Sequence, residues 1–180
     1  MGLSLLRFRQ FSLISLITSR RLLWQTTWLS WSLITCLFHT AIADIAPGAL
    51  PESGRVVAGQ ASISQIDKTM TVTQSSDKAI IDWQSFNIGH DAHLNFLQPD
   101  TQAVTLNRVI TDNASEIYGR LSANGQVFFI NPKGILFAPG SKVDVGSLFA
   151  STGDISNSDF LAGKHVFQHF VGTGPIINQG

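Results

Sequence analysis

The stretch that most constrains this chain is Asn131-Pro132-Lys133-Gly134, which stands between Val127-Phe128-Phe129-Ile130 and Ile135-Leu136-Phe137. The proline ring fixes φ near about −65°, the value wanted at the second position of a type I turn, with Asn before it and Gly two residues after. Both flanking runs are short and rich in β-branched or aromatic residues, so they read as buried strands. Gly140 ends the second run, and Val143-Asp144-Val145 then alternates apolar with polar. The unit is strand, tight corner, strand, glycine corner, strand. It fits a hairpin or successive edges of a β-solenoid coil.

Strand-like runs recur upstream at Val56-Val57-Ala58, Met70-Thr71-Val72-Thr73, Ala79-Ile80-Ile81, Leu94-Asn95-Phe96 and Val104-Thr105-Leu106. No segment after residue 44 sustains helical periodicity over three turns, although residues 159–162 can make one. The chain is therefore all-β. Glycine-punctuated strands within 125–127, 134–137 and 140–145 show no strict period, which leaves sandwich, barrel and solenoid open. As a solenoid, at roughly 20–25 residues per coil, the region would hold about six rungs.

Charge divides the chain in two. Arg7, Arg9, Arg20 and Arg21 precede every acid, the first of which is Asp44. Of twelve basic and twelve acidic residues, removal of 1–43 leaves eight against twelve, a formal charge of −4. No basic patch points to nucleic acid. Residues 22–43 carry no charge but several Ser and Thr, which is polar for a permanent span. Ala41-Ile42-Ala43 then supplies the small-x-small pattern of signal peptidase. Residues 1–43 thus read as an extended, cleaved signal that engages the inner-membrane translocon, cut after Ala43 with Ala41 as the other small position. The only cysteine, Cys36, lies inside it, so a chain from 44 onward has no disulfide framework and depends on packing.

The words WQSFNIG (83–89), LNRV (106–109), SANGQVFFINPKGILF (122–137) and VDVGSLFAST (143–152) occur in family order. They resemble the N-terminal two-partner-secretion domain of filamentous-haemagglutinin-type exoproteins, from about Gly54 to the end of the chain. One position departs: Lys133 stands where the family usually has a second Asn. The resemblance implies a right-handed parallel β-helix with short extra-helical antiparallel strands. An N-terminal cap is also expected, for which residues 55–96 are the natural candidate, because a solenoid end exposes strand edges and apolar interior. It further implies that residues 44–180 are a secretion domain at the front of a longer exoprotein.

Function follows from the same resemblance. The domain is expected to pass through the periplasm to a dedicated outer-membrane β-barrel transporter, whose periplasmic domains bind it, and to be secreted or held at the bacterial surface. It is also expected to nucleate β-helix folding outside the cell. Asn131, Pro132, Lys133, Gly134 and Ile135 are the implied secretion motif, and Asn107, Arg108 and Val109 a secondary one. Each serves either by contact or by folding the corner. An adhesin or haemagglutinin activity is the alternative, and would normally reside beyond residue 180.

Other chemistry is thinly supported. His90 and His93 would point to opposite faces of a strand, and His165 and His169 share a face but lack further ligands, so no metal or other cofactor is expected. The aspartates are scattered singly, Asp144 pointing outward, which disfavours a polysaccharide-acting β-helix enzyme. Ser147 and Ser151 have no nucleophile-elbow context. Asn113-Ala114-Ser115 matches a glycosylation sequon of the kind frequent by chance. Asn107, Asn124, Asn131 and Asn157 read as backbone-bonding residues beside turns or strand ends. Phe86, Phe96, Phe128, Phe129, Phe137 and Phe149 read as core, with Trp83 and Phe86 as alternative exposed anchors for a partner.

Overall fold

The computed structural model describes residues 45–168 and 174–180; the expected signal, with Ala41 and Ala43 as its expected cleavage positions, lies outside the described residues, as does His169. Among the described residues there are thirteen strands and one short helix. Three of them stack as coils along one face: β3 (Thr69–Gln74), β5 (His93–Leu97) and the first half of β8 (Arg120–Ile130). On a second face β4 (Lys78–Trp83), β6 (Val104–Val109) and the second half of β8 do the same. All these pairings are parallel, and β10 (Lys142–Ser151) lies parallel along the whole of β8. A third face stacks β7 (Ser115–Ile117), β9 (Ile135–Phe137) and β13 (Ile176–Asn178). Thr69 pairs with His93, His93 with Arg120 and Arg120 with Lys142, so three turns separate β3 from β10. The chain is a β-solenoid with about half the rungs that spacing alone allowed.

Stacking in register makes the interior a set of columns. Val72, Phe96 and Ala123 form one, and Ile81, Asn107, Phe129 and Ala150 another. Each fully buried Phe, Leu or Ile contributes about 1.5–3 kcal/mol. Trp83 and Phe86 are wholly buried and meet edge to face at 5.6 Å, so they are core and not exposed anchors. Asn107 also departs from expectation: it sits in mid-strand inside the solenoid, not at a turn.

The cap is shorter than residues 55–96. Within that range only β1 (Arg55–Ala58) and β2 (Ala61–Ile66) run antiparallel, against β4 and β3, while β3, β4 and β5 already belong to the coils. A second apolar layer lies outside the solenoid. Ile80, Leu106, Phe128 and Phe149 form an outward column. It is covered by an insertion consisting of β11 (Asp154–Ile155), α1 (Asn157–Leu161) and β12 (Phe167–Gln168). Ser156 caps α1 by accepting from Asp159 N, and Lys78 Nζ donates to Leu161 O at 2.8 Å at the other end. Phe149, expected in the core, is partly exposed; it stacks between Phe128 at 4.9 Å and Phe167 at 4.7 Å.

Candidate functional site

The corner at 131–134 is closed from four directions. Gly134 N–H donates to Asn131 O at 3.1 Å, which makes the turn, and Lys133 N–H donates to Asn131 Oδ1 at 2.9 Å. Lys133 keeps a negative φ, since Ser53 and Asp67 are the only described non-glycine residues with a positive one. That excludes type II and agrees with type I. The buried Asn131 amide donates to Asn113 O at 3.0 Å and Ser115 Oγ at 2.8 Å, tying this coil to the one before. Asn131 N–H reaches forward to Ser151 O at 3.0 Å, and Gly174 N–H donates to Pro132 O at 2.8 Å. Ile135 is buried and its N–H donates to Pro175 O at 3.0 Å. Gly134 has a φ of 110°, and a Cβ there would stand 2.8 Å from Pro175 O, so no side chain fits.

The LNRV word alternates as a strand must. Asn107 and Val109 point into the solenoid, and Arg108 points out. Arg108 is 13% exposed and makes four hydrogen bonds: Nε donates to Asp154 Oδ1 at 2.7 Å, and the two terminal nitrogens reach Asp82 Oδ1, Asn157 Oδ1 and Ile155 O. It fastens the insertion to the coils. Such a planar, multi-donor ion pair resists replacement by Lys.

The two words meet in space. Arg108, Val109, Ile110, Thr111 and Asp112 line one wall of an open groove of about 300 Å³, with Pro132, Lys133 and Asp154 on the others. Lys133 Nζ lies 2.9 Å from Asp112 Oδ1, with the side chains 41% and 92% exposed. Thr111 Oγ1 donates to Gln84 O at 2.6 Å and holds that wall in place. Sequence reasoning missed Ile110, Thr111, Asp112 and Asp154. Only the exposed apolar Ile110, immediately after a strand, was a readable signal.

The other flagged residues lie elsewhere. His90 pairs with Asp91, whose carboxyl is held below its ordinary value first by the Lys68 hydrogen bond and then by His90. His93 Nε2 is 2.7 Å from Ser122 Oγ, and burial, then the charge of Arg120, lowers its pKa. His165 packs its ring 5.4 Å from Phe128. Asp144 is exposed, as expected, within 3.6 Å of Arg120.

Known proteins are similar to this chain in sequence and in fold. A family model described as the TPS secretion domain matches residues 48–180. The heme/hemopexin-binding protein of Haemophilus influenzae (strain ATCC 51907 / DSM 11121 / KW20 / Rd) is 36% identical over 151 residues, which is 83% of this chain and 17% of that protein. A second heme/hemopexin-binding protein from Haemophilus influenzae is 38% identical over 151 residues, 83% of this chain and 16% of its own length. The chain therefore spans about one sixth of the curated relatives it matches. The crystal structure of the HMW1 secretion domain from Haemophilus influenzae is similar with a TM-score of 0.69 at 33% identity, over 72% of this chain and 35% of that one. Neither the secretion domains nor these relatives are enzyme families. With the fold, the coil-closing corner and the family match in agreement, this chain belongs to the TPS secretion domain family.

Proposed function

We propose that residues 44–180 are the export-recognition module of a longer two-partner-secretion exoprotein. The module engages the periplasmic domains of an outer-membrane β-barrel transporter after signal peptidase has removed residues 1–43 at the inner-membrane translocon. The observation that carries this reading is the shared groove: the secretion-motif corner and the end of the LNRV strand line one open surface. Within it the roles divide. Asn131, Gly134, Ile135, Asn107 and Val109 are buried and build the corner, whereas Lys133 and Ile110 are exposed and available for contact. A folded corner also ties its coil to the ones before and after it, which serves folding outside the cell. The heme/hemopexin binding in the relatives' names belongs to much longer proteins; this domain is assigned export.

The test is export of the 180-residue chain with and without its transporter. Wild type should reach the medium only when the transporter is present. Ile110→Glu with Lys133→Glu should abolish export while leaving the urea midpoint unchanged. Asn131→Ala with Pro132→Ala should lose export and fold together. Release that ignores the transporter would refute the assignment.

A further inference from the structure

The geometry points to β2 as the strand on which the transporter docks, by adding an extended segment of its periplasmic part to the edge of the cap. This rests on the export reading above. β2 ends its sheet, with β3 on one side and no strand on the other among the described residues. Which groups it offers follows from its register. Ile66 pairs with Thr69 across the two-residue turn Asp67-Lys68, in which Asp67 has a φ of 51°. A two-residue hairpin loop closes on a hydrogen-bonded pair, and such pairs alternate along an antiparallel ladder. Ser75 N–H donating to Gln60 O at 2.9 Å keeps the same phase at the far end. The N–H and C=O groups of Ala61, Ile63 and Gln65 therefore face outward.

Edges of this kind are normally guarded by charge, proline, bulges or shortness. The other edges of this sheet are guarded. β1 is four residues long, carries Arg55 and bulges between Val56 and Ala58, and β10 carries Lys142 and Asp144 and bulges between Val145 and Ser147. β2 reads Ala-Ser-Ile-Ser-Gln-Ile, with no charge, no proline and unbroken register. It ends at Ile66, 77% exposed, the most exposed of the large apolar residues described. An uncharged edge recognises main chain and tolerates varied side chains opposite, as β-strand addition does.

Size selects the occupant. Six residues span about 20 Å. A strand added there buries far less than the roughly 800 Å² per partner of a stable interface, so a second copy held by this edge alone would not persist. A transporter must release what it binds, and a short edge suits that.

The experiment uses the full chain and its detergent-solubilised transporter, with affinity read by surface plasmon resonance. Gln65→Pro removes an outward N–H without breaking an internal bond, and proline is tolerated at such edge positions. Gln65→Ala controls for the side-chain bond from Gln65 Nε2 to Asp67 O. Gln65→Pro should weaken binding at least tenfold with an unchanged urea midpoint, and Gln65→Ala should bind as wild type. Should Gln65→Pro lose its fold, Gln65→Lys and amide exchange replace it, with exchange at Ile63 and Gln65 expected to slow on binding. Affinity of Gln65→Pro or Gln65→Lys within twofold of wild type, or unslowed exchange, would overturn the docking strand alone. A wild-type dimer that Gln65→Pro dissolves would assign the edge to a second copy and overturn it too. Wild type that fails to bind the transporter at all would overturn the export reading beneath it.

Discussion

The indole Nε1 of Trp83 donates to Oδ1 of Asn107 at 3.0 Å, with both side chains fully buried inside the solenoid. One coil thereby fixes the next by a polar bond within an apolar column, and Asn107 Nδ2 extends it to Phe128 O at 3.4 Å. Truncating one partner strands the other, which costs about 1–3 kcal/mol. Asn107→Leu should lower the urea-unfolding free energy by that amount. Trp83→Phe added to it should restore part, because no orphaned indole donor then remains. A double variant as unstable as the sum of the singles would refute the coupling.

Asn131→Ala should be worse. It deletes the bonds to Asn113 O, Ser115 Oγ and Lys133 N in a buried corner, a loss of about 2–4 kcal/mol. Asn131→Asp keeps the acceptor for Lys133 N but sets a carboxylate against the Asn113 carbonyl, and it should not rescue. Equilibrium unfolding of both variants checks this.

Gly134→Ala meets two obstacles, a φ of 110° and the Pro175 carbonyl 2.8 Å from the new Cβ. A cost of about 1–3 kcal/mol is expected. Amide exchange should speed up at Ile135, whose N–H donates to that carbonyl. Protection unchanged at Ile135 would show that the corner closes without Pro175.

Lys133→Ala should separate contact from folding. Its ion pair with Asp112 is exposed, and pairs of that sort are worth about 0–1 kcal/mol. Stability should stay within about 0.5 kcal/mol while export falls several-fold. Equal export by variant and wild type would remove Lys133 from the recognition surface.

Acid should loosen the coils through His93. Burial and then Arg120 hold its pKa below 6.5, so the folded state favours the neutral ring. The stability this confers is complete above the unfolded value and lost as pH falls below about 6.5 and through the folded value. Arg120 and Lys142 line the same groove as His90 and Asp91, and Ser122 Oγ holds the ring. The urea midpoint should drop between about pH 7 and 5, and His93→Gln should flatten that slope. Asp91, also lowered, acts only below 3.8, outside this window.

What was readable in the chain and what was not divides along one physical line. Val127 to Ile130 and Ile135 to Phe137 announced themselves because buried strands need β-branched and aromatic side chains. β2 did not, since its Ser62, Ser64 and Gln65 face solvent at an edge. β7 was invisible because three residues carry no period. The Asn-Pro-Lys-Gly corner was legible as a turn, but its neighbours were not. Asp112 reaches Lys133 only because β6 stacks on β8, and that register is set by coil packing across many residues. Nor could composition show that Arg108 is spent on the insertion and Asn107 on Trp83.

The corner at 131–134 also keeps time. Two of its closing bonds come from Gly174 N–H and the Pro175 carbonyl, some forty residues further along the chain. A polypeptide emerges from the ribosome N-terminus first. The most recognisable word in this sequence is therefore half-made when it appears and finished only by a segment that arrives later. The closing of the corner therefore marks how much of the chain has been made.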